Sequence, residues 1–509
     1  MTYALPIRPA SVLVPENETR RTSDHRPFRP ARPRHGQLAS LFVTTEMTDF
    51  IKTGGLGDVA AALPRALRRW HDVRVLIPGY PAVLERLRGL RWEGRTQPVA
   101  GLPAARLGRA RTEDGLEVYV LQQASLFERV GSPYLSPTGK DWSDNAVRFG
   151  LLSMAAAQMA AGSAGLDWRP DLLHLNDWPT ALAPPYLRWR GYDTPCVLTI
   201  HNLAHQGIFP ASCREALGIP TQSNEANYHG QLSFLRAGLM HADLLTTVSA
   251  SYARQITTPS QGMGMHTLLH RRAAQGRLSG IVNGIDASWD IRHDPALPRS
   301  DDGDVATIRR LAREQLNQEL GLQPHDGPLF SFVARMVAQK GIDLICEVGP
   351  QIVRAGGQLA LIGHGDPDME SEVSRLVRRF PGRVAACIGF SEALSRRMFA
   401  GSDFLLMPSR FEPCGLSQMY AQTYGSLPIA HATGGLLDTV EDGVTGLLFD
   451  EARAFDLRRA LARAFRIHHE PELLRAMRRA AMSLRYDWEG PARQYSVLYA
   501  KAMTQLVAA

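Results

Sequence analysis

The sequence predicts two doubly wound α/β domains in tandem, on three observations. From residue 39 onward, short apolar or β-branched runs alternate with helical stretches, the pattern of parallel strands joined by crossover helices. The alternation comes as two series, one ending near Val248 and one beginning near Phe330. Glycines and polar residues cluster just after those runs, where an open parallel sheet gathers its ligand-binding loops.

The first series opens with Leu41–Val43, an apolar run that fits a buried parallel strand. Lys52-Thr53-Gly54-Gly55-Leu56-Gly57-Asp58 follows. A helix is predicted over Asp58–Trp70, with Asp58 as N-cap and Val59, Leu63 and Leu67 at helical spacing. Further strands are predicted at Val73–Ile77, Val118–Leu121, Leu172–Leu175, Val197–Ile200 and Leu244–Val248. Asn283-Gly284-Ile285-Asp286 is a turn signal, and a charged helix is predicted from Val305 to Leu320. The second series places strands at Phe330–Val333, Leu359–Ile362, Val384–Ile388, Phe404–Met407 and Leu447–Phe449. The implied division is a tail over 1–38, domains over 39–282 and 283–484, and a C-terminal segment over 485–509. Two such domains leave a crevice between them.

At 509 residues, with 44% hydrophobic and 21% charged side chains, the chain can build two or three cores and has a soluble composition. No run approaches the ~18 apolar residues of a membrane span. The net charge is +7, but residues 1–37 hold seven Arg against Glu16, Glu18 and Asp24. The remainder is only mildly basic, which argues against a nucleic-acid surface. The Arg- and Pro-rich tail lacks an apolar segment and reads as disordered rather than as a signal peptide. Cys196, Cys213, Cys346, Cys387 and Cys414 are scattered and lack C-x-x-C spacing, which favours a reducing compartment and no zinc site.

Loops beyond strand ends hold the candidate chemistry. Gly54 and Gly55 let backbone N–H groups approach an anion, with Lys52 as a point charge, or else form an ordinary turn. Arg335 and Lys340 are spaced to reach one diphosphate, or to pair with acids at a helix start. Gly363–Gly365 and Gly434-Gly435 offer further N–H donors. Glu412, before Pro413-Cys414-Gly415, can hold sugar hydroxyls or stabilise positive charge at a sugar C1, or cap the next helix. Cys414 reads as packing. His201, beside Asn202, can hydrogen-bond a sugar or be a satisfied buried histidine. Asp177 can orient a hydroxyl or cap its strand, and Trp178 offers a stacking face.

Together these residues resemble the bacterial glycogen synthase and starch synthase family, from about Leu41 to Tyr495. The carrying motifs are LFVTTEMTDFIKTGGLGDVAAALP (41–64), GSPY (131–134), SDNAVRF (143–149), DLLHLNDW (171–178), TIHNLAHQGIF (199–209), QLSFLRAGLMHAD (231–243), VNGID (282–286), ARMVAQKGIDL (334–344), LIGHGDP (361–367), PSRFEPCGLSQMYAQTYGSLPI (408–429) and TGGLLDTV (433–440). The resemblance implies a GT-B fold, two Rossmann-like domains facing a cleft, with the chain crossing back near Tyr486-Asp487-Trp488. It also implies transfer of glucose from ADP-glucose to the non-reducing 4-OH of glycogen or a linear α-1,4-glucan, with retention and release of ADP.

By resemblance, Lys52, Gly54 and Gly55 contact the sugar nucleotide, and Arg335 and Lys340 neutralise its diphosphate. Phe390 falls where the family places an adenine-stacking tyrosine. His201 and Asp177 line the glucose and acceptor side, and Glu412 supports the transition state. Tyr134, Asn283, Cys414, Gly415, Leu416 and Ser417 fall at substrate-lining positions. Pro179, His205 and Ser417 replace a frequent His, Tyr and Thr. This reading requires neither metal nor cofactor, and it implies no nucleic-acid or membrane partner and a cytoplasmic location. Two other readings stay open: a related enzyme using UDP-glucose, and a glucan-binding relative without catalysis.

Overall fold

A computed structural model describes residues 37–300 and 303–505. The predicted tail, up to residue 36, lies outside the described residues.

The first lobe carries twelve strands: β1 Ala39–Val43, β2 Asp72–Pro78, β3 Arg91–Arg95, β4 Arg106–Arg111, β5 Glu117–Gln122, β6 Leu172–Asn176, β7 Cys196–Ile200, β8 Ile208–Pro210, β9 Asn227–Tyr228, β10 Gln231–Ser233, β11 Leu244–Thr247 and β12 Leu278–Gly280. Nine form one sheet in the order β12-β11-β7-β6-β1-β2-β5-β4-β3, and β8-β10-β9 make a small separate sheet. The second lobe carries β13 Leu329–Val333, β14 Gln358–Gly363, β15 Val384–Ile388, β16 Phe404–Met407, β17 Leu427–His431 and β18 Leu447–Phe449. Its all-parallel sheet runs β15-β14-β13-β16-β17-β18.

The predicted parallel strands are present because they are covered on both faces and so read as unbroken apolar runs. In β1, Leu41, Phe42 and Val43 are fully buried between β2 and β6. The reading missed β3 and β4, which extend the sheet antiparallel beyond β5. Their sequences, RWEGR and RLGRAR, are charge-rich, and β3 is mostly exposed. Charges on an edge strand oppose pairing with another chain, and they erase the apolar signal.

One core fills the first lobe, and three clusters fill the second. The chain passes between lobes at Val282–Ile285 and returns at Tyr486-Asp487. There Ile285 N donates to Tyr486 O at 2.7 Å. Gly284 permits this approach, since a Cβ would sit 2.9 Å from Tyr486 O. The helix Glu489–Gln505 then packs on the helix Gly55–Leu67 and on β7 of the first lobe. It buries Tyr495 and Tyr499, and the Tyr499 hydroxyl bonds His174 Nδ1 at 2.6 Å.

Candidate active site

Parallel strands of both lobes end at the inter-lobe face. In the second lobe, Glu412 lies in the loop after β16 and is 5% exposed. Lys340 Nζ meets its Oε2 at 2.6 Å, and Ser409 Oγ donates to the same oxygen at 3.0 Å. Lys340 ends a short 3-10 turn after β13, stopped by Gly341 at φ 71°. A Cβ on Gly341 would lie 2.2 Å from Pro408 O, so glycine lets the two loops stack and brings Lys340 to Glu412. A cavity of about 40 Å³ opens beside the pair, lined among others by Lys340, Ser409, Glu412, Gly415, Leu416 and Ser417. The next helix begins at Ser417, and Glu412 does not cap it.

In the first lobe the helix begins at Gly55, with Gly54 rather than Asp58 as N-cap. Asp58 sits in the first turn and accepts from Lys52 Nζ at 2.7 Å and from Thr48 Oγ1 at 3.1 Å. Of the glycine amides offered to an anion, Gly54 N is occupied: it donates to Glu46 Oε2 at 2.9 Å, as the neighbouring Thr53 N does at 2.5 Å. Glu46 Oε1 accepts from the Tyr134 hydroxyl at 2.7 Å. A Cβ on Gly55 would lie 3.7 Å from Leu416 Cδ1, so the glycine loop faces the Glu412 loop across the lobes.

His201 and Asp177 are also brought together. Asp177 Oδ1 accepts from His201 N at 2.7 Å, and His201 Nε2 bonds Asn176 Oδ1 at 2.9 Å. Asp177 has φ 55° and ψ −174°, a region nearly restricted to glycine, so its backbone is held under strain by its surroundings. Burial raises the Asp177 carboxyl to about 7, opposed by the His201 and Asn202 amides. Burial lowers His201 to about 3, so its imidazole is neutral.

Other candidates stand apart. Arg335 is exposed, and burial together with its positive charge lowers the pKa of His205 on the first lobe. Phe390, beyond β15 at the sheet edge, is 78% exposed. Cys414 packs with Val248 and Met419 at the lobe junction, where burial pushes its thiol up to about 12, consistent with packing. Asn283 is buried at the same junction, and its Oδ1 has no hydrogen-bond partner among the described residues. The amides read as donors at Gly363–Gly365 and Gly434-Gly435 are partly spoken for. Gly365 N donates to Glu370, Gly434 N to Gln255, and Gly435 N to Glu412 O. Trp178 is hemmed in by Phe149, Phe209, Phe234 and Tyr134 rather than offering an open face.

A family profile described as the starch synthase catalytic domain matches residues 40–271. A second, glycosyl transferases group 1, matches residues 313–483. The chain is 60% identical over 460 residues to a glycogen synthase of Xanthomonas campestris pv. campestris (strain 8004), covering 90% of this chain and 97% of that one. It is 51% identical over 508 residues to a glycogen synthase of Pseudomonas fluorescens, covering 97% and 95%. The catalytic domain of starch synthase IV from Arabidopsis thaliana, bound to ADP and acarbose, superposes with a TM-score of 0.81 at 30% identity, over 92% of this chain and all of that one.

The chain belongs to the starch and glycogen synthase family. This synthase is thus a glycosyltransferase of GT-B fold, and its inter-lobe face is the place to seek its chemistry. Two residues there escaped the sequence reading. Glu46 ties the glycine loop to Tyr134, and Asn176 fixes the His201 ring while donating to Val43 O at 2.9 Å. For Glu46 the available signal was an acid just beyond a fully buried strand; it is only 4% exposed. Among the described residues no three His, Cys, Asp or Glu side chains are grouped to hold a metal ion, and no helix is long and apolar enough to cross a membrane.

Proposed function

We propose that this synthase transfers glucose from ADP-glucose to the 4-OH at the non-reducing end of glycogen or a linear α-1,4-glucan, with retention and release of ADP, in the cytoplasm. The observation that carries the reading is the Lys340–Glu412 pair, set in a cavity whose rim at Leu416 meets the first lobe's glycine loop. The ADP and acarbose held by the related starch synthase IV support a nucleotide and a glucan as ligands.

In this reading Arg335, Lys340 and Lys52 address the diphosphate, and the first-turn amides of the helix Gly55–Leu67 add their dipole. Lys52 and Lys340 each have a carboxylate partner, at 2.7 and 2.6 Å, so the diphosphate competes with Asp58 and Glu412 for them. Phe390 gives the adenine a ring to stack on. The C1–O bond breaks with its electron pair leaving on ADP. The acceptor oxygen bonds C1 on the same face, and its proton passes to the departing phosphate oxygen. Glu412 offsets the positive charge that develops at C1. Asp177 positions the His201 loop, since its Oδ1 already holds that amide. Same-face attack is the reading because Glu412 is engaged by Lys340 and Ser409. A glucosyl ester trapped on Glu412 or Asp177 would contradict it.

The test is an elongation assay offering ADP-glucose and UDP-glucose side by side with a maltooligosaccharide or glycogen. The expected result is ADP release with longer chains that β-amylase degrades. A clear preference for UDP-glucose, or glycogen binding without ADP release, would overturn the reading.

A further inference from the structure

We infer that Ser249 and Gln255, on the first lobe, are positioning residues for Glu412 on the second. The inference rests on the placement of Glu412 at the reacting centre. The short helix Ala250–Gln255 follows β11, and its N-cap Ser249 is fully buried. Ser249 Oγ accepts from Tyr252 N at 3.2 Å and donates across the lobes to Pro413 O at 2.6 Å. At the other end of the helix, Gln255 Oε1 accepts from Gly434 N at 2.9 Å.

Both bonds converge on the main chain that carries Glu412. Pro413 is its neighbour in sequence. Gly434 and Gly435 are its neighbours in space: Gly435 N donates to Glu412 O at 3.0 Å, and a Cβ on Gly434 would lie 1.9 Å from that oxygen. The Glu412 peptide is therefore clasped between a turn held by Gln255 and a carbonyl held by Ser249. On the rim, Asp438 accepts from Ser251 N at 2.8 Å and Ser251 Oγ at 2.5 Å, which reinforces the same junction. Asp438 is exposed, so water competes for these bonds and they are the weaker part. Docking of the lobes thus builds the Glu412 loop as well as bringing two half-sites together. Neither Ser249 nor Gln255 need touch a substrate to matter, because a displacement of about 1 Å at a reacting group can cost up to ~10²-fold in rate.

The experiment compares Gln255→Ala, Gln255→Glu, Ser249→Ala and Ser249→Thr in the full chain, each with and without Glu412→Gln. Gln255→Glu keeps an acceptor for Gly434 N, and Ser249→Thr keeps the hydroxyl. The expected result for Gln255→Ala and Ser249→Ala is a fall in kcat on the order of tenfold, with donor and acceptor KM within about twofold. The conservative variants keep most of the activity, and in the Glu412→Gln background the alanine changes cost little more. Should one alanine variant fail to fold, the other approaches the same loop independently. Unchanged kcat, or an equal loss with and without Glu412→Gln, overturns the inference. A Glu412→Gln variant with normal turnover instead overturns the placement of Glu412 on which it rests.

Discussion

At the residue scale the two members of the Lys340–Glu412 pair are not equivalent. The Lys340 side chain is 19% exposed and the Glu412 side chain 6%. Removing Lys340 leaves a buried carboxylate with the Ser409 hydroxyl and no countercharge, whereas removing Glu412 leaves an ammonium that can turn toward water. Each alanine variant is expected to lower kcat by about 10²–10³, the scale of a lost transition-state contact. Lys340→Ala is expected to be the more destabilising, by up to ~3–5 kcal/mol, because Glu412 loses its countercharge. Steady-state rates with thermal unfolding of both variants check this; equal melting points would contradict the asymmetry. Asp177 adds a pH dependence. Its folded pKa, raised to about 7 mainly by burial, favours the protonated form. Its contribution to stability is therefore present below the unfolded value near 4 and lost as pH rises through about 7. Asp177→Asn is expected to gain stability over the parent near pH 7.5 but not near pH 4, read from unfolding midpoints at both. A gain of equal size at both pH values would contradict the assignment. The charged residues of the Glu412 loop were legible in the sequence because ionisable groups stand out beyond apolar strands. Glu46 was not, because its role depends on the fold returning Thr53, Gly54 and Tyr134 to it.

At the scale of elements, glycines were the least legible feature. Gly434-Gly435 and Gly363–Gly365 looked like anion-binding turns, yet they serve close approach of main chains: a Cβ on Gly435 would lie 2.3 Å from Cys414 O, and one on Gly365 2.4 Å from Met336 O. Sequence alone cannot separate these uses, since both demand a missing side chain. Gly434 is also at φ 49°, so Gly434→Ala meets backbone strain and a clash with Glu412 O together. It is expected to lower kcat at least ~10-fold and to reduce the melting temperature, whereas Gly54→Ala meets nothing within 4 Å and should fold normally. Kinetics and melting of the two variants decide it, and a Gly434→Ala enzyme with parental rate would contradict the clasp on Glu412. The strands predicted from apolar runs were legible to within two residues, because burial on two sides leaves an unmixed apolar run. Strands β3 and β4 were hidden by their own arginines.

At the scale of the whole molecule, the C-terminal helix ties the second lobe's end to the first lobe's core. His174, on the strand leading to Asp177, is bonded by Tyr499 at 2.6 Å and Thr199 at 2.8 Å. Tyr499→Phe leaves one buried nitrogen short of its partner and is expected to cost about 1–3 kcal/mol; an unfolding midpoint unchanged in denaturant would contradict that role. Residues from both lobes form the proposed site, so ADP with a maltooligosaccharide is expected to close them and reduce the radius of gyration in small-angle scattering. In the proposed site, cations from facing lobes share one diphosphate. Calorimetric titration of ADP and AMP into the parent and into Lys52→Ala, Arg335→Ala and Lys340→Ala tests it most directly. Each substitution is expected to weaken ADP markedly and AMP much less. ADP affinity unchanged in the Lys52 variant, or lowered equally for both nucleotides in all three, would contradict it.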